Sequence, residues 1–394
     1  MRIVHCADVH IGKDFGLIKT ESHRRKSEIL QGFISFIDYC IETDTDVLLI
    51  AGDLFDNDNV SHSMISQVKE EMKKAKDMDI YIVAGNHDPY ITAGMYRGNW
   101  PENVHIFKDK PEVITRRDKG YRVWGCSFAG SYVNEGILSN ADMSFLKMDD
   151  ELINLGVLHG QLVGGFGESV YNPITDEDIK KSNLDYLALG HVHKSNGILR
   201  QGKTFYSYCG TMEGQGFDED GIKGFYEGEI TKEEFKLSRC NLRFASLSYR
   251  RYYHVNADIT GAADINKMIS IIKDRIENVD DELTERNLYK VNLTGTLDED
   301  VTFSVRDIEN RLGRLYYFVS VVNNTKIKAD YARLSVQNSL KGMFVRKMLS
   351  KIENNSKKEN DYDEPDDLYM KALEYGLRAF SNEVIIDEDN KDIY

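Results

Sequence analysis

Five short segments of the chain end in side chains that bind divalent metal ions. Their sequences are Asp8-Val9-His10, Gly52-Asp53, Gly85-Asn86-His87-Asp88, His159-Gly160 and Gly190-His191-Val192-His193. Each follows an apolar run that predicts a buried strand, so the polar side chains would lie at the carboxyl ends of strands, where α/β sheets bind ligands. Two divalent cations about 3.5–4 Å apart require such a mixture of carboxylate, amide and imidazole ligands. The segments therefore predict a two-metal site.

The spacing within the segments suggests how the ligands would be arranged. Asp53 is the natural carboxylate to bridge two metals, because the glycine before it allows a tight turn at the strand end. Residues two positions apart project to the same side of an extended chain. Two pairs have this spacing, Asp8 with His10 and His191 with His193, while Asn86 offers an amide oxygen and His159 completes the set.

Each segment on its own has an ordinary explanation. An Asp-x-His or Gly-Asp sequence occurs by chance in many chains, and a histidine after an apolar run is often a core residue. An Asn-His-Asp sequence can be a simple turn. Five of the ten histidines nevertheless fall within these segments, each at a predicted strand end. This conjunction favours a functional site over five coincidences.

The order and spacing of the five segments resemble the calcineurin-like metallophosphoesterase superfamily. The resemblance implies two metal sites, one held by Asp8, His10, Asp53 and His193 and the other by Asp53, Asn86, His159 and His191. It also implies that His87 is an acid that protonates the leaving oxygen or stabilises the transition state, with Asp88 orienting it. The reaction would be an in-line attack on phosphorus.

Three further residues are candidates for supporting roles. Gly-Asp-Leu-Phe-Asp is a common form of the second segment in nuclease members, so Asp56 could support the metal ligands or contact substrate. Arg24 and Arg25 begin a basic cluster that could touch a phosphate backbone or could be a solvated helix start. The loop after Asp56 reads Asn-Asp-Asn-Val-Ser, where many relatives have Pro-Ser.

Composition restricts the class of protein. A chain of 394 residues with 41% hydrophobic residues suggests two or three domains with a large core. No apolar run approaches a membrane span, and the start lacks a charged-then-apolar leader. The five scattered cysteines favour a reducing cytoplasm.

The net charge of −15 is unfavourable for electrostatic binding of nucleic acid. Residues 351–394 carry −7 of it, and two metals would add positive charge at the site.

Residues 1–246 are predicted to be the catalytic domain. Strands alternate with amphipathic helices at 24–43 and 64–77, an α/β (α+β) pattern, and the resemblance implies a four-layer β-sandwich flanked by helices. Two alternating runs, 203–209 and 223–230, would close the second sheet of the sandwich. The glycine-rich, acidic stretch 210–221 between them is either a mobile loop near substrate or a plain surface hairpin loop.

The remaining residues are predicted to form a cap and a tail. Residues 247–326 show a β-α-β-α-β order, and in nucleases of this superfamily such a capping domain follows the catalytic domain. Residues 327–394 are predicted to be helical, with helices at 332–352 and 368–380 and a charged linker at 354–367. The two helices could dock on a partner or could pack on the chain itself.

The whole chain resembles the SbcD and YhaO type of DNA repair exonuclease. That resemblance implies a manganese-dependent nuclease that degrades DNA from 3′ to 5′, with endonuclease activity left open. It also implies a partner, an SbcC-like or SMC-like coiled-coil ATPase that the tail would bind, and a homodimer is left open. Two alternatives are a phosphodiesterase or phosphatase for small nucleotides and a non-catalytic scaffold. The presence of every expected metal ligand argues against the scaffold.

Overall fold

The structure is a computed structural model that describes residues 1–16, 22–56, 60–143, 151–164, 167–232, 238–279, 284–298, 301–328, 330–355 and 366–380. The chain divides into two compact units. The first contains Met1–Val255, Ile276–Lys290 and Leu312–Ser320, and the second contains Asn256–Arg275, Val291–Arg311 and Val321–Tyr394. The domain boundaries expected from sequence, 1–246, 247–326 and 327–394, remain our proposal for the organisation of the chain.

The first part of the chain alternates strands and helices. Its elements are β1 (Arg2–Cys6), α1 (Ser22–Glu42), β2 (Val47–Ala51), α2 (His62–Lys74), β3 (Asp79–Val83), β4 (Val104–Ile106), β5 (Glu112–Arg116), β6 (Tyr121–Cys126), β7 (Ile153–His159), β8 (Gln161–Leu162), β9 (Pro173–Ile174), α3 (Asp176–Ser182), β10 (Tyr186–Gly190), β11 (Leu199–Gln201), β12 (Thr204–Tyr208), β13 (Phe225–Thr231) and β14 (Arg239–Ala245). Helices α1 and α2 confirm the predicted amphipathic helices with shifted ends. Helix α2 begins at His62 because Ser61 caps it by accepting a hydrogen bond from the backbone N–H of Met64.

Two six-stranded sheets form the centre of this unit. The first has the order β14-β13-β1-β2-β3-β4, in which β1 to β4 run parallel. The second has the order β11-β12-β10-β7-β6-β5, in which β12, β10, β7 and β6 run parallel. Antiparallel strands complete both sheets at their edges.

The packing of the sheets produces four layers. Side chains of both sheets meet in one core, with Leu49 and Val83 from the first sheet against Val123, Val157 and Ala188 from the second. The opposite face of the first sheet packs against α1 and α2, and that of the second packs against α3. A strand that is buried on both faces of its sheet carries apolar side chains on both faces. The sequences of these strands are therefore continuous apolar runs. The layers confirm the predicted α/β sandwich flanked by helices.

One feature of the predicted sandwich is wrong. Strands β12 and β13 were expected to close the second sheet together, with 210–221 as the loop between them. Strand β12 instead belongs to the second sheet and β13 to the first, where it pairs with β1. The connecting stretch is therefore not a hairpin loop within one sheet. Its residues 211–216 are buried, and its place near substrate stays a prediction. Local alternation could not reveal this, because it indicates a strand without indicating its sheet.

The later elements follow the predicted β-α-β-α-β order with two short additional strands. They are β15 (Tyr252–Asp258), α4 (Ile265–Glu277), β16 (Leu288–Thr294), β17 (Thr296–Asp298), α5 (Val305–Leu312), β18 (Phe318–Asn323) and β19 (Lys326–Lys328). The three long strands form a sheet in the order β15-β16-β18. Strands β17 and β19 pair in parallel as a separate two-stranded sheet.

The C-terminal helices pack on one another. They are α6 (Tyr331–Ser335), α7 (Leu340–Asn355) and α8 (Asp366–Phe380), and the middle of the predicted linker, 356–365, lies outside the described residues. The single helix predicted at 332–352 is wrong. It is broken before Leu340, and a Cβ on Gly342 would lie 2.3 Å from the carbonyl oxygen of Gln337. Among the described residues, no helix has the length and apolarity that crossing a bilayer requires.

Candidate metal centre

The candidate ligands lie where strands of both sheets end. Asp8 and Asp53 follow β1 and β2 of the first sheet, and Asn86 follows β3. His159 is the last residue of β7, and His191 follows β10, both in the second sheet. The carboxyl ends of the parallel strands therefore meet at one edge of the sandwich, and all seven predicted ligands lie there.

The backbone at this edge adopts conformations that most residues avoid. Asp8, His10 and Asp53 have φ angles of 51°, 52° and 50°, and His191 has a φ angle of 104°. Non-glycine residues in this region cost of order 1–3 kcal/mol each, and such residues cluster at functional sites. Gly85 is required for a different reason, because a Cβ there would lie 2.3 Å from Oδ1 of Asp53. The turns are thus shaped to bring the side chains together.

The donor atoms form three overlapping groups whose members all lie within 4.8 Å of one another. The groups are Asp8 with His10 and His193, His10 with Asp53 and His87, and Asp8 with Asp53 and His159. Asp8, His10 and His159 are fully buried, and Asp53 is nearly so. Asp8, His10 and Asp53 each belong to two of these groups, which therefore form one continuous cluster.

The Nε2 atoms of two histidine rings face each other. Nδ1 of His10 lies 3.1 Å from Oδ1 of Asp56, and Nδ1 of His193 lies 2.6 Å from Oε1 of Glu219. Each carboxylate accepts a hydrogen bond from that Nδ1–H, so in the neutral imidazoles both Nε2 atoms carry lone pairs. Those two Nε2 atoms are 3.3 Å apart. Burial lowers the pKa of His10, which favours the neutral ring. Two facing lone pairs repel unless a cation lies between them.

A second group of acceptors surrounds Asn86. Nδ1 of His159 donates to the carbonyl oxygen of Ala51 at 3.0 Å, so its Nε2 is left unprotonated in the neutral ring. That Nε2 lies 2.9 Å from Oδ1 of Asn86 and 3.5 Å from Oδ2 of Asp53, which are both acceptors. Nδ1 of His191 is 3.1 Å from the same amide oxygen. Burial lowers the pKa of His159, and it lowers that of His191 to about 4.

Asp8 and Asp53 add two buried carboxylates to the imidazole and amide groups of the site. Burial and the neighbouring charge of Asp53 raise the pKa of Asp8 well above its usual range. A divalent cation would relieve this cost, because it supplies opposite charge where water is excluded. Neutral imidazoles, an amide oxygen and carboxylates are also the donors that manganese, iron or zinc accept. The residues present therefore fit a pair of divalent metals.

His87 differs from the other histidines at the site. Its side chain is 43% exposed, and its Nδ1 lies 3.1 Å from Oδ1 of Asp56. The hydrogen bond with Asp56 raises the pKa of His87. Asp88 was expected to orient His87, but its oxygens accept hydrogen bonds from the backbone N–H groups of Gly85 and Phe55 and from the hydroxyl of Tyr96. The carboxylate that orients His87 is Asp56, which also accepts from His10.

The two arginines considered as substrate contacts have different surroundings. The guanidinium of Arg25 is fully buried, where it donates to Glu28, to Glu213 and to the carbonyl oxygen of Gly214. This placement corrects the expectation that Arg25 contacts substrate, because all of these partners are internal. Arg24 is 59% exposed and pairs with Glu28, and its substrate contact stays a prediction. Residues 57–59 of the loop after Asp56 lie outside the described residues.

Sequence reasoning missed three residues that lie beside the ligands. Glu219 is bonded to His193 as described above, and the Nε2–H group of Gln215 donates to the carbonyl oxygen of Asp8 at 3.1 Å. The ammonium of Lys13 donates to Oε1 of Gln215 at 2.5 Å. The only signal in the sequence was the unusual composition of 210–221. It did not indicate which of its acidic residues faces inward.

Comparisons with known proteins agree with this geometry. The family described as calcineurin-like phosphoesterase matches residues 1–195. The chain is 28% identical over 289 residues to the uncharacterized metallophosphoesterase YhaO of Bacillus subtilis, covering 70% of this chain and 67% of that protein.

Two DNA double-strand break repair proteins named Mre11 are also similar to this chain. The one from Methanococcus maripaludis is 25% identical over 247 residues, with 59% of this chain and 63% of that protein covered. The one from Sulfurisphaera tokodaii is 22% identical over 404 residues, covering 91% and 99%. The chain thus spans about two thirds of the length of YhaO, less than two thirds of the first Mre11 protein and nearly all of the second. The chain therefore contains a calcineurin-like phosphoesterase domain, and the family match covers residues 1–195.

Proposed function

We propose that the protein is a two-metal phosphodiesterase that hydrolyses DNA, acting as a 3′-to-5′ exonuclease with manganese as its metal. The observation that carries this proposal is the cluster of buried acceptors. Nε2 of His10 faces Nε2 of His193. Nε2 of His159 faces Oδ1 of Asn86 and Oδ2 of Asp53. In neutral rings whose Nδ1–H groups are bound elsewhere, these Nε2 atoms have no proton to donate. Such a cluster is costly in a metal-free protein and favourable around cations.

The ligand assignment is the one that the family resemblance implies. We assign one metal to Asp8, His10, Asp53 and His193, and the other to Asp53, Asn86, His159 and His191. When bound, two divalent metals would activate water and neutralise the charge that develops on the phosphoryl oxygens. The protein supplies a fixed and mostly buried setting for them, in which Asp56, Glu219 and the carbonyl oxygen of Ala51 orient the imidazoles.

His87 is proposed as the residue that holds a proton for the leaving oxygen. Its partly exposed ring stands beside His10, with the ring centroids 4.7 Å apart. Asp56 contacts Nδ1 of His87, and the other ring nitrogen, Nε2, takes no part in that contact. Because the same carboxylate raises the pKa of His87, the ring retains its proton nearer to neutral pH. A general acid of this kind contributes about 10²–10⁴-fold to a rate.

The choice of DNA as substrate has two supports. Two similar proteins are named for DNA double-strand break repair. The β-α-β-α-β order after the catalytic strands is the arrangement that nuclease members carry as a cap. The net charge of −15 opposes binding through charge alone. We therefore expect weak, salt-sensitive DNA binding that improves when the metals add positive charge at the site.

We also propose a coiled-coil ATPase of the SbcC or SMC type as partner. The helices α6 to α8 bury Leu334, Val345, Leu373 and Leu377 against one another. Three apolar side chains nevertheless remain outside this core, with Val336 80%, Leu340 71% and Met343 60% exposed. Leu340 and Met343 are three residues apart on α7, a spacing that suits docking against another helix, whereas Val336 lies in the connection between α6 and α7.

The decisive experiment is a nuclease assay on purified protein with manganese. Linear double-stranded DNA labelled at the 3′ or the 5′ end should be shortened from its 3′ ends, and Asn86→Ala should abolish the activity. Asp118→Asn is a suitable control, because Asp118 is exposed and pairs with Arg116 away from the site. If the wild type cleaves a chromogenic phosphodiester and leaves all DNA intact, the proposal is wrong.

A small-nucleotide phosphodiesterase is the second candidate, and the acidic balance of the chain favours it. A free nucleotide would bind to the metals through its own phosphate, so its binding requires no basic protein surface. This candidate predicts high turnover of nucleotide esters together with no DNA binding at low salt. The same protein preparation can be used for both assays, so the two functions are distinguished directly.

A further inference from the structure

Glu219 is a buried carboxylate next to the metal centre that none of the five ligand segments contains. It lies in the stretch that crosses from β12 in the second sheet to β13 in the first. Its side chain is 8% exposed, whereas Asp218 and Asp220 on either side of it are exposed. Of these three consecutive acidic residues, only Glu219 is therefore directed inward.

Both oxygens of Glu219 are held by specific donors. Oε1 accepts the Nδ1–H of His193 at 2.6 Å. Oε2 accepts from the hydroxyl of Thr211 at 3.1 Å and from the backbone N–H of Gln215 at 3.2 Å. Three donors therefore hold the carboxylate of Glu219 in place.

The stretch that carries Glu219 is anchored on both sides. Glu213 accepts hydrogen bonds from the backbone N–H groups of Tyr249 and Arg250 at 2.7 and 2.9 Å. At the other side, Gln215 donates to the carbonyl oxygen of Asp8. These contacts leave little freedom for the carboxylate of Glu219, and its position is thus set by the fold rather than by His193.

The consequence concerns which nitrogen of His193 carries the proton. A free neutral imidazole prefers the proton on Nε2 only slightly, so a carboxylate beside Nδ1 decides the tautomer. With Nδ1–H bound to Glu219, Nε2 is the unprotonated nitrogen, and it points at Nε2 of His10. That atom is the one that a metal between His10 and His193 would need.

We propose that Glu219 is a positioning residue that fixes His193 in the Nδ1–H tautomer and thereby makes it a metal ligand. This inference rests on the proposed two-metal function. It assigns no contact with substrate to Glu219. It predicts that the affinity for one of the two metals depends on a residue that touches neither metal.

Three variants test the proposal: Glu219→Ala, Glu219→Gln and Asp220→Asn. The alanine variant removes the acceptor, the glutamine variant keeps an oxygen that can accept from Nδ1–H, and the asparagine variant makes the same charge change on an exposed neighbour. Manganese binding is measured by titration calorimetry. The tautomer of His193 is measured in the metal-free protein by long-range ¹⁵N–¹H correlation of the imidazoles, assigned with His193→Gln.

We expect Glu219→Ala to lose about 10–100-fold in affinity at one of two manganese sites, the usual effect of removing such a partner. We expect His193 to lose its single tautomer in that variant. Glu219→Gln should keep the tautomer and lose less affinity, and Asp220→Asn should match the wild type. A Glu219→Ala protein with unchanged tautomer and unchanged affinity overturns the proposal.

Two further outcomes have a defined interpretation: a wild type that binds no metal, and a Glu219→Ala variant that does not fold. If the wild type binds no metal, the function fails, while the tautomer measurement still decides whether Glu219 positions His193. If Glu219→Ala does not fold, Thr211→Val replaces it, since it removes one bond to Oε2 and leaves every ligand in place. The expected shift in tautomer and affinity is then smaller but in the same direction. Wild-type manganese affinity in both Thr211→Val and Glu219→Gln, with an unchanged tautomer in Thr211→Val, overturns the proposal.

Discussion

The carboxylate of Asp8 accepts hydrogen bonds from the backbone N–H of His191 at 3.0 and 3.1 Å, although the two residues are 183 positions apart in the chain. Asp8 follows a strand of the first sheet and His191 a strand of the second. This bond therefore ties the two sheets together at the candidate metal centre. It also places the charge of Asp8 beside Asp53, where both are buried.

Asp8→Asn should have opposite effects on stability with and without metal. The amide oxygen can still accept from His191, and the change removes one of two buried like charges. In EDTA we expect the free energy of unfolding to rise, because burial and the neighbouring charge of Asp53 disfavour the charged form of Asp8. With manganese at a hundredfold excess over Kd, each occupied site should add about 2.7 kcal/mol. The variant should therefore gain less than the wild type, because it keeps the full ligand set of only one of the two sites. Denaturant titrations in the two buffers measure both values. A variant that is less stable in EDTA and gains fully from manganese contradicts this.

His87→Gln should separate proton donation from metal binding. Since Nδ1 of His87 is bound to Asp56, we expect metal uptake to stay at the wild-type level. The kcat should fall by about 10²–10⁴-fold, as for loss of a general acid. Metal content by elemental analysis and kcat on a phosphodiester give the two readouts. Loss of metal from His87→Gln would instead make His87 a ligand, since its donor atom lies within 4.8 Å of those of His10 and Asp53.

The stability of the first unit should depend on pH through His5. This ring is fully buried, where Nδ1 meets the hydroxyl of Tyr186 at 2.8 Å and Nε2 meets the carbonyl oxygen of Leu189 at 3.2 Å. Burial lowers the pKa of His5 to about 3 from 6.5. Between these values the unfolded state binds the proton and the folded state does not. Stability is therefore complete above about pH 6.5 and falls as the pH is lowered toward 3.

The expected slope from His5 is about 1.4 kcal/mol per pH unit once the pH is well below 6.5. The measurement compares the free energy of unfolding of the wild type and of His5→Gln between pH 5 and pH 7.5. The variant should be the less stable protein at pH 7.5, and the difference should shrink as the pH falls. Parallel curves for the two proteins would show that His5 does not contribute.

The C-terminal helices offer a pair of variants with opposite consequences. Leu373 is fully buried in the helical core, so Leu373→Ala should cost about 2–5 kcal/mol locally. Met343 is 60% exposed, so Met343→Glu should change stability by less than about 0.5 kcal/mol. Hydrogen exchange of the backbone of α7 and α8 measures both. If Met343→Glu also abolishes copurification of a coiled-coil ATPase while exchange stays unchanged, the exposed apolar side chains act in docking. Retained copurification with Met343→Glu and Leu340→Glu would contradict that role.

The sequence by itself determined the ligand segments and the strands that precede them. An apolar run of strand length that ends in glycine and a polar residue is a local pattern. Such a pattern can be recognised without knowledge of the fold. The helices α1 and α2 were predictable for the same reason. Their ends were not, because a cap such as Ser61 shifts a boundary by a few residues.

Only the tertiary structure decided which residues support the ligands. The pairing of His87 with Asp56 rather than Asp88, the burial of Arg25 and the contact of Glu219 with His193 all depend on neighbours from other elements. Strand β13 illustrates the cause, since its alternation indicates a strand but not the sheet it joins. Side-chain periodicity records burial along one element, whereas the partner of a buried charge is set by how separate elements pack.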